Sequence, residues 1–183
     1  RNEKIPNPDR LNFIDLQKIP KWRSKLDDTW DEAPFELDGK KWLSVEHYYQ
    51  SCKFIKQNPD FASLFSLDSI SSDIAKNVDL AISAGSKSGR ATGKARKKLT
   101  GTNTLLRPKT IGIDPDFYGE RSTRCREAGV LAKFEKNQDL KNMLILTSNA
   151  HLKQYHSGAK AESDNILMKI RYKLINLESY ISR

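Results

Sequence analysis

The stretch WLSVEHYYQSCKF, residues 42 to 54, sets a carboxylate (Glu46), an imidazole (His47), two phenols (Tyr48 and Tyr49), an amide (Gln50) and an amine (Lys53) close together. Carboxylates, imidazoles and amines are the groups that exchange protons or attack electron-poor carbon in enzymes. On a helix, at about 100° per residue, Glu46 and Lys53 fall about 20° apart around the axis and about 10 Å along it, flanked by Tyr49 and Gln50. Val45, Tyr48, Cys52 and Ile55 form the opposing apolar stripe. A plainer account uses the same residues. A glutamate in a first helical turn is favoured by the helix dipole, a lysine snorkels to solvent, and tyrosines pack with their hydroxyls at the rim. Spacing alone does not choose between a trimmed core helix and the wall of a site.

The elements around this face follow from local signals. FELDGKKW predicts a small antiparallel hairpin, with Phe35 and Leu37 alternating with polar residues and Asp38-Gly39 as the turn. Ser44 offers an N-cap, and Pro59 bounds the helix that follows. FASLFSLDSI and SDIAKNVDLAISAG predict short helices, the second stopping at Gly85. Residues 86 to 110 predict a loop with a helical turn around Ala95, and IDPDFYG predicts a turn. ERSTRCREAGVLAKFEKNQDLKNMLILT is helical by periodicity, and AESDNILMKIRYKLINLESYI forms a terminal helix with Ile166, Leu167, Ile170, Leu174 and Leu177 in step. The first forty residues, with prolines at 6, 8, 20 and 34 and tryptophans at 22 and 30, predict an irregular packed lead-in with short strands. The class is helix-rich α+β, a single domain over 35–177 with a lead-in over 1–34 and a tail over 178–183.

With 183 residues, the chain is long enough to bury roughly 70% of its unfolded surface. No stretch approaches the roughly 20 apolar residues of a membrane span, and the amino terminus lacks the pattern of a secretory signal, although a start at Arg1 leaves a removed leader open. Cys52 and Cys125 stand far apart in sequence without a CxxC partner, which predicts reduced thiols, Cys52 packing as a small apolar residue. His47, His151 and His156 lack zinc-site spacing. The net charge of +9 is concentrated: between Leu80 and Ile113 there is no acidic residue, while Lys87, Arg90, Lys94, Arg96, Lys97, Lys98, Arg107 and Lys109 are all positive. Such a segment suits a polyanionic partner, though charge runs are often only solvated loops. GSKSGRATGKARKK fails the P-loop pattern, because Ser88 stands five before Gly93 and Ala95 follows Lys94.

FELDGKKWLSVEHYYQSCKF resembles the signature of the NADAR (YbiA-like) family, G-K-x-W-x-[ST]-x-E-H-Y-[YF]-Q-x-x-K-F. The likeness continues in AGSKSG at 84 to 89, RPKTIGIDPDFYG at 107 to 119, AKFEKNQDLKNMLILT from Ala132 and LMKIR at 167 to 171, in an order similar to the eukaryotic and viral branch. It implies a YbiA-like fold and an N-glycosidase acting on ribosyl groups. Some members cleave an early riboflavin intermediate, and others remove ADP-ribose from guanine in nucleic acid. The bacterial subset includes antitoxins to a DNA ADP-ribosyltransferase.

Carried onto this chain, the family's glutamate is Glu46. A carboxylate can stabilise positive charge developing at the anomeric carbon or activate water, and the helix start is expected to favour its ionised form, so that the leaving group takes its proton elsewhere. A second route opens the sugar to an imine that a lysine captures, with Lys53 and Lys21 as candidates. Substrate binding is expected from Trp42, His47, Tyr49 and Gln50, although a histidine on a helix flank such as His47 is more often a hydrogen-bonded structural group, and from Lys87 and Arg90 at a pyrophosphate. Arg96, Lys97 and Lys98 are expected to meet nucleic acid. YHSGAKAESDNILMKIR lacks the tryptophan of the bacterial WGxG segment, so stacking is sought from Tyr118, Tyr155 or Trp30, and a polar contact from Asn165 or Asp164, the latter also a plain helix cap. The resemblance implies a hydrolase that removes ADP-ribose from guanine in nucleic acid; the chain is further expected to be monomeric and cytoplasmic or nuclear, with no cofactor and no metal. The alternatives are a glycosidase of a ribosylated pyrimidine and a non-catalytic module that binds ADP-ribose or NAD.

Overall fold

Helices supply most of the regular structure, broken often by turn formers. The computed structural model describes residues 13–99, 104–155 and 160–181, with side chains to residue 177. Pro6, Pro8, His156, residues 100–103 of the basic segment and residues 182–183 lie outside the described residues. In chain order the elements are α1 (Ile14–Lys18), α2 (Trp22–Lys25), β1 (Phe35–Leu37), β2 (Lys40–Trp42), α3 (Val45–Cys52), α4 (Pro59–Ser63), α5 (Val78–Ala84), α6 (Gly93–Lys98), α7 (Glu120–Lys136), α8 (Gln138–Leu146), β3 (Lys153–Gln154), β4 (Glu162–Ser163) and α9 (Asn165–Ile181). The α+β, helix-rich class with a short hairpin is the one the sequence predicts. Two compact units form, one of residues 28–133 and one of residues 1–27 with 134–183.

In the first of these, Asp38 and Gly39 take φ of 52° and 71°, as a two-residue hairpin turn requires. The strands pair Phe35 with Trp42 and Leu37 with Lys40. The pleat buries Phe35 and Trp42 and turns Glu36 and Lys41 outward. The Trp42 indole donates to the Leu37 carbonyl at 2.9 Å, and its ring meets Tyr48 edge-on at 5.2 Å between centroids. Ser44 caps α3, its hydroxyl accepting the His47 backbone N–H at 3.4 Å. Val45, Tyr48 and Cys52 point inward, and α3 packs on β2, α4 and α5. Gly129 on α7 brings its backbone against Val45 and Tyr48, since a Cβ there would lie 3.2 Å and 3.1 Å from their side chains. The Cys52 thiol hydrogen-bonds to Cys125, with no disulfide between them.

The expected stripe stops one turn early, and Ile55 is exposed. Lys53 and Phe54 already donate to carbonyls three residues back, and a buried aspartate takes over the next donors. Asp114 accepts the Lys56 and Gln57 N–H groups at 3.1 Å each, while its own N–H meets the Lys53 carbonyl at 2.7 Å. Arg121 completes this knot, reaching Asp114 and the Cys52 carbonyl at 2.6 Å each. Beneath it Phe54, Phe61 and Phe65 cluster with centroids 4.9 to 6.0 Å apart. Asn77 caps α5 through its carbonyl oxygen and the Leu80 N–H, and Gly85 ends it as expected. The helical turn around Ala95 is α6, with Ala95 buried beside Leu80 and Ala91.

The second unit packs α8 against α9 and α1 around Leu16, Met143, Leu144, Ile170 and Leu174. The Asp164 carboxylate accepts the Leu167 N–H at 3.1 Å, the helix-cap role open to it in the sequence. Arg171 donates to Thr147 Oγ1 and the Ala150 carbonyl at 2.9 Å each. Four expectations need correction. Among the described residues before 35, the lead-in forms the short helices α1 and α2, and the strand within the first forty residues is β1 of the hairpin. The long helical run divides at Asn137 into α7 and α8, because Asn137 takes an extended ψ of 95°. A second hairpin, β3 with β4, had no hydrophobic alternation to announce it. At the carboxyl end α9 continues to Ile181, past Leu177.

Candidate active site

Glu46, Tyr49, Gln50 and Lys53 share one face of α3, as the helical spacing requires. Glu46 is half-buried, and its Oε1 accepts a hydrogen bond from Gln50 Nε2 one turn on. Its backbone N–H donates to the Asp28 carbonyl at 2.9 Å, and the Asp28 carboxylate is held by Arg126 Nε at 2.6 Å. Burial raises the Glu46 carboxyl above its ordinary range. The Gln50 hydrogen bond opposes this, the Asp28 charge adds to it, and Lys53 and Arg126 offset it in part. The sequence expectation of a carboxyl held ionised by the helix dipole is therefore reversed. Loss of water outweighs a terminus effect of about 1 kcal/mol or less, and a carboxyl whose proton affinity is raised is better suited to donate a proton than an ordinary one.

Lys53 is no snorkelling surface group. Only 7% of it is exposed, and Nζ donates to the Gly85 carbonyl at 2.9 Å. It sits 5.5 Å from the Tyr49 ring centroid and 5.9 Å from that of Phe117. Burial lowers its pKa to about 8, with Glu46 pulling it up and Arg107 pushing it further down. Tyr49 lies edge-on to Phe117 at 5.3 Å, and its phenol is raised, chiefly by burial and then by the Glu46 charge. Gln50 is buried with Oε1 unpartnered. Gly85 permits this packing, since a Cβ there would lie 1.8 Å from Gln50 Oε1.

The remaining candidates divide by place. His47 is fully buried, its Nδ1 2.8 Å from Ser44 Oγ, and burial lowers its pKa to about 4. Trp42 is likewise buried, bonded to the hairpin. Tyr118 is 64% exposed beside Phe117, with centroids 5.3 Å apart. Lys87 is exposed and Arg90 half-buried on the loop after α5, and Arg96, Lys97 and Lys98 are exposed on α6. Lys21 heads α2 in a left-handed conformation, φ 56°, and Asn165 opens α9; both are exposed and belong to the other unit, as do Tyr155 and Asp164. Trp30 belongs to the unit of Glu46 and is half-buried. Sequence reasoning missed Gly85, Phe117 and Arg107 as parts of the Lys53 surroundings. All three lie in the matched segments AGSKSG and RPKTIGIDPDFYG, which was the available signal. Among the described residues, no three or more His, Cys, Asp or Glu side chains cluster to hold a metal ion, and no helix is long and apolar enough to cross a membrane.

A capped helix led in by a tight hairpin, with its polar face turned to the loop after α5, belongs to a YbiA-like α+β fold. The NMR structure of the E. coli protein YbiA matches with a TM-score of 0.56, over 84% of this chain and 79% of that one. At 18% identity the likeness is one of fold. No protein-family model and no curated protein matches the sequence.

Proposed function

We propose that this chain is an N-glycosidase of the NADAR type that releases ADP-ribose from guanine in nucleic acid. The observation that carries the reading is the buried pair on one face of α3: Glu46, held by Gln50 and raised by burial, and two turns on Lys53, set on the Gly85 carbonyl at 2.9 Å and lowered to about 8. Environments that push two titratable groups away from their usual states are the mark of acid and nucleophile assignments.

In this reading the amine-linked riboside opens to an imine, and the unprotonated Lys53 Nζ adds to the anomeric carbon. The bond from that carbon to the guanine nitrogen breaks, the electron pair staying on nitrogen, which takes the Glu46 proton. Water then hydrolyses the lysine imine, returning a proton to Glu46 and freeing ADP-ribose and the amine. Glu46 thus fills the role of proton donor that the sequence left unassigned. Lys94, Arg96, Lys97 and Lys98, exposed on α6, supply cations for the phosphates of a strand.

Incubation of the full chain with an oligonucleotide carrying ADP-ribosylated guanine, beside a thymidine-linked control, tests the reading by chromatography. Free ADP-ribose from the guanine substrate alone is expected, and release from neither sinks the proposal. Borohydride added during turnover should leave a sugar adduct on Lys53, detected by mass spectrometry. Turnover with no lysine adduct would remove the covalent step.

A further inference from the structure

Arg107 and the Lys53 amine bond to neighbouring carbonyls of one loop, and the hydrogen bonds of the Arg107 guanidinium go to backbone. Nη1 donates to the Ala84 and Ser86 carbonyls at 2.8 Å each, and Nη2 to the Lys87 carbonyl at 3.1 Å. These bonds bracket Gly85, whose own carbonyl receives Lys53 Nζ at 2.9 Å. The Arg107 backbone N–H also donates to the Gly89 carbonyl at 3.1 Å, closing the 84–89 loop onto the same residue. The loop is fitted to the arginine, since a Cβ at Gly89 would stand 2.9 Å from Arg107 Cβ. The guanidinium carbon lies 5.2 Å from the Phe54 ring centroid, only 7% of the residue is exposed, and among the described residues it forms no ion pair. A buried cation without a carboxylate is costly, and a loop could be tied by neutral groups.

We infer that Arg107 is a positioning residue for the Lys53 amine: it fixes the carbonyl on which Nζ rests and, as a second buried cation, disfavours an ammonium there. The direction of the Lys53 titration agrees, with Arg107 among the causes that lower it. The other groups around Nζ are accounted for. From α3, Glu46 favours the ammonium, and the Tyr49 phenol is raised and neutral. From the turn before α7 comes the Phe117 ring, with the Arg121 guanidinium 5.7 Å from its centroid and committed to Asp114 and Asp116. The Tyr118 phenol favours the Arg107 charge in part, and among the described residues no carboxylate pairs with it.

The test follows the Lys53 13Cε resonance with pH in lysine-labelled full-length protein, assigned by its absence in Lys53→Met. No substrate enters, so the outcome is independent of the glycosidase reading. Arg107→Lys keeps the charge and should leave the midpoint within about a factor of two in proton affinity. Arg107→Gln keeps donors but loses the charge and should bind the Lys53 proton about tenfold more tightly. An unchanged midpoint in Arg107→Gln overturns the proposal, as do equal shifts in the two variants, which would mark a purely structural clamp. Should Arg107→Gln not fold, the wild-type chain still decides: a Lys53 midpoint at the ordinary 10.5 rather than about 8 overturns it.

Discussion

Glu46 and Lys53 are residues whose burial opposes their charged forms, so each should weaken the fold where it ionises. For Glu46, raised above its unfolded 4.5, the stabilising contribution is complete below pH 4.5 and is lost as pH rises through the folded value. Glu46→Gln should therefore melt higher than wild type near pH 8 and at the same temperature below pH 4.5. Thermal melts across that range check this, and a lower melting temperature for Glu46→Gln at pH 8 would contradict it. For Lys53 the folded value falls from 10.5 to about 8, so its contribution is present above 10.5 and lost as pH falls through 8. That drop corresponds to about 3 kcal/mol against the ammonium, less whatever the Gly85 hydrogen bond returns. Lys53→Met should gain stability at pH 7 by denaturant titration, and the gain should vanish above 10.5. A loss at pH 7 would mean that the ammonium is not strained.

The elements around α3 hold these two groups by contacts from distant sequence. Gly85→Ala drives a methyl into Gln50 and should cost about 1–3 kcal/mol, as overpacking does. It should also loosen the carbonyl under Lys53. Asp114→Ala strips Arg121, Lys56 and Gln57 of their acceptor and should cost about 3–5 kcal/mol by urea unfolding; a cost under about 1 kcal/mol would show that the knot is not a support. These contacts explain what the sequence could reveal. The Asp38-Gly39 turn, the Ser44 cap and the shared face of Glu46, Gln50 and Lys53 depend on neighbours within a turn or two, and all were legible. The early end of α3 depends on Asp114, and the titration of Lys53 on Gly85, Phe117 and Arg107. No local pattern carries such pairings, so the dipole reading of Glu46 and the surface reading of Lys53 both failed for want of burial. Short elements were missed for a related reason: α1, α2 and the β3–β4 hairpin are too brief to show a period.

At the scale of the molecule, the positive charge sorts itself by place. Of the eight cations between Leu80 and Ile113, Arg107 is buried on backbone carbonyls, Arg90 is half-buried, and the rest are exposed. If α6 meets a phosphate backbone, replacing Arg96, Lys97 and Lys98 by alanine should weaken oligonucleotide binding at low salt. It should also flatten the salt dependence by roughly 0.7 per lost single-strand contact, measured by fluorescence anisotropy. Binding insensitive to ionic strength would remove α6 from the interface. The account as a whole turns on Glu46 acting as the acid in cleavage of a ribosyl C–N bond. Its most direct measurement is the rate of ADP-ribose release from an ADP-ribosylated guanine oligonucleotide by Glu46→Gln and by wild type, each saturated with the same strand. The account predicts a fall of at least about a hundredfold with the strand still bound at wild-type affinity. Release within a few-fold of wild type would contradict it.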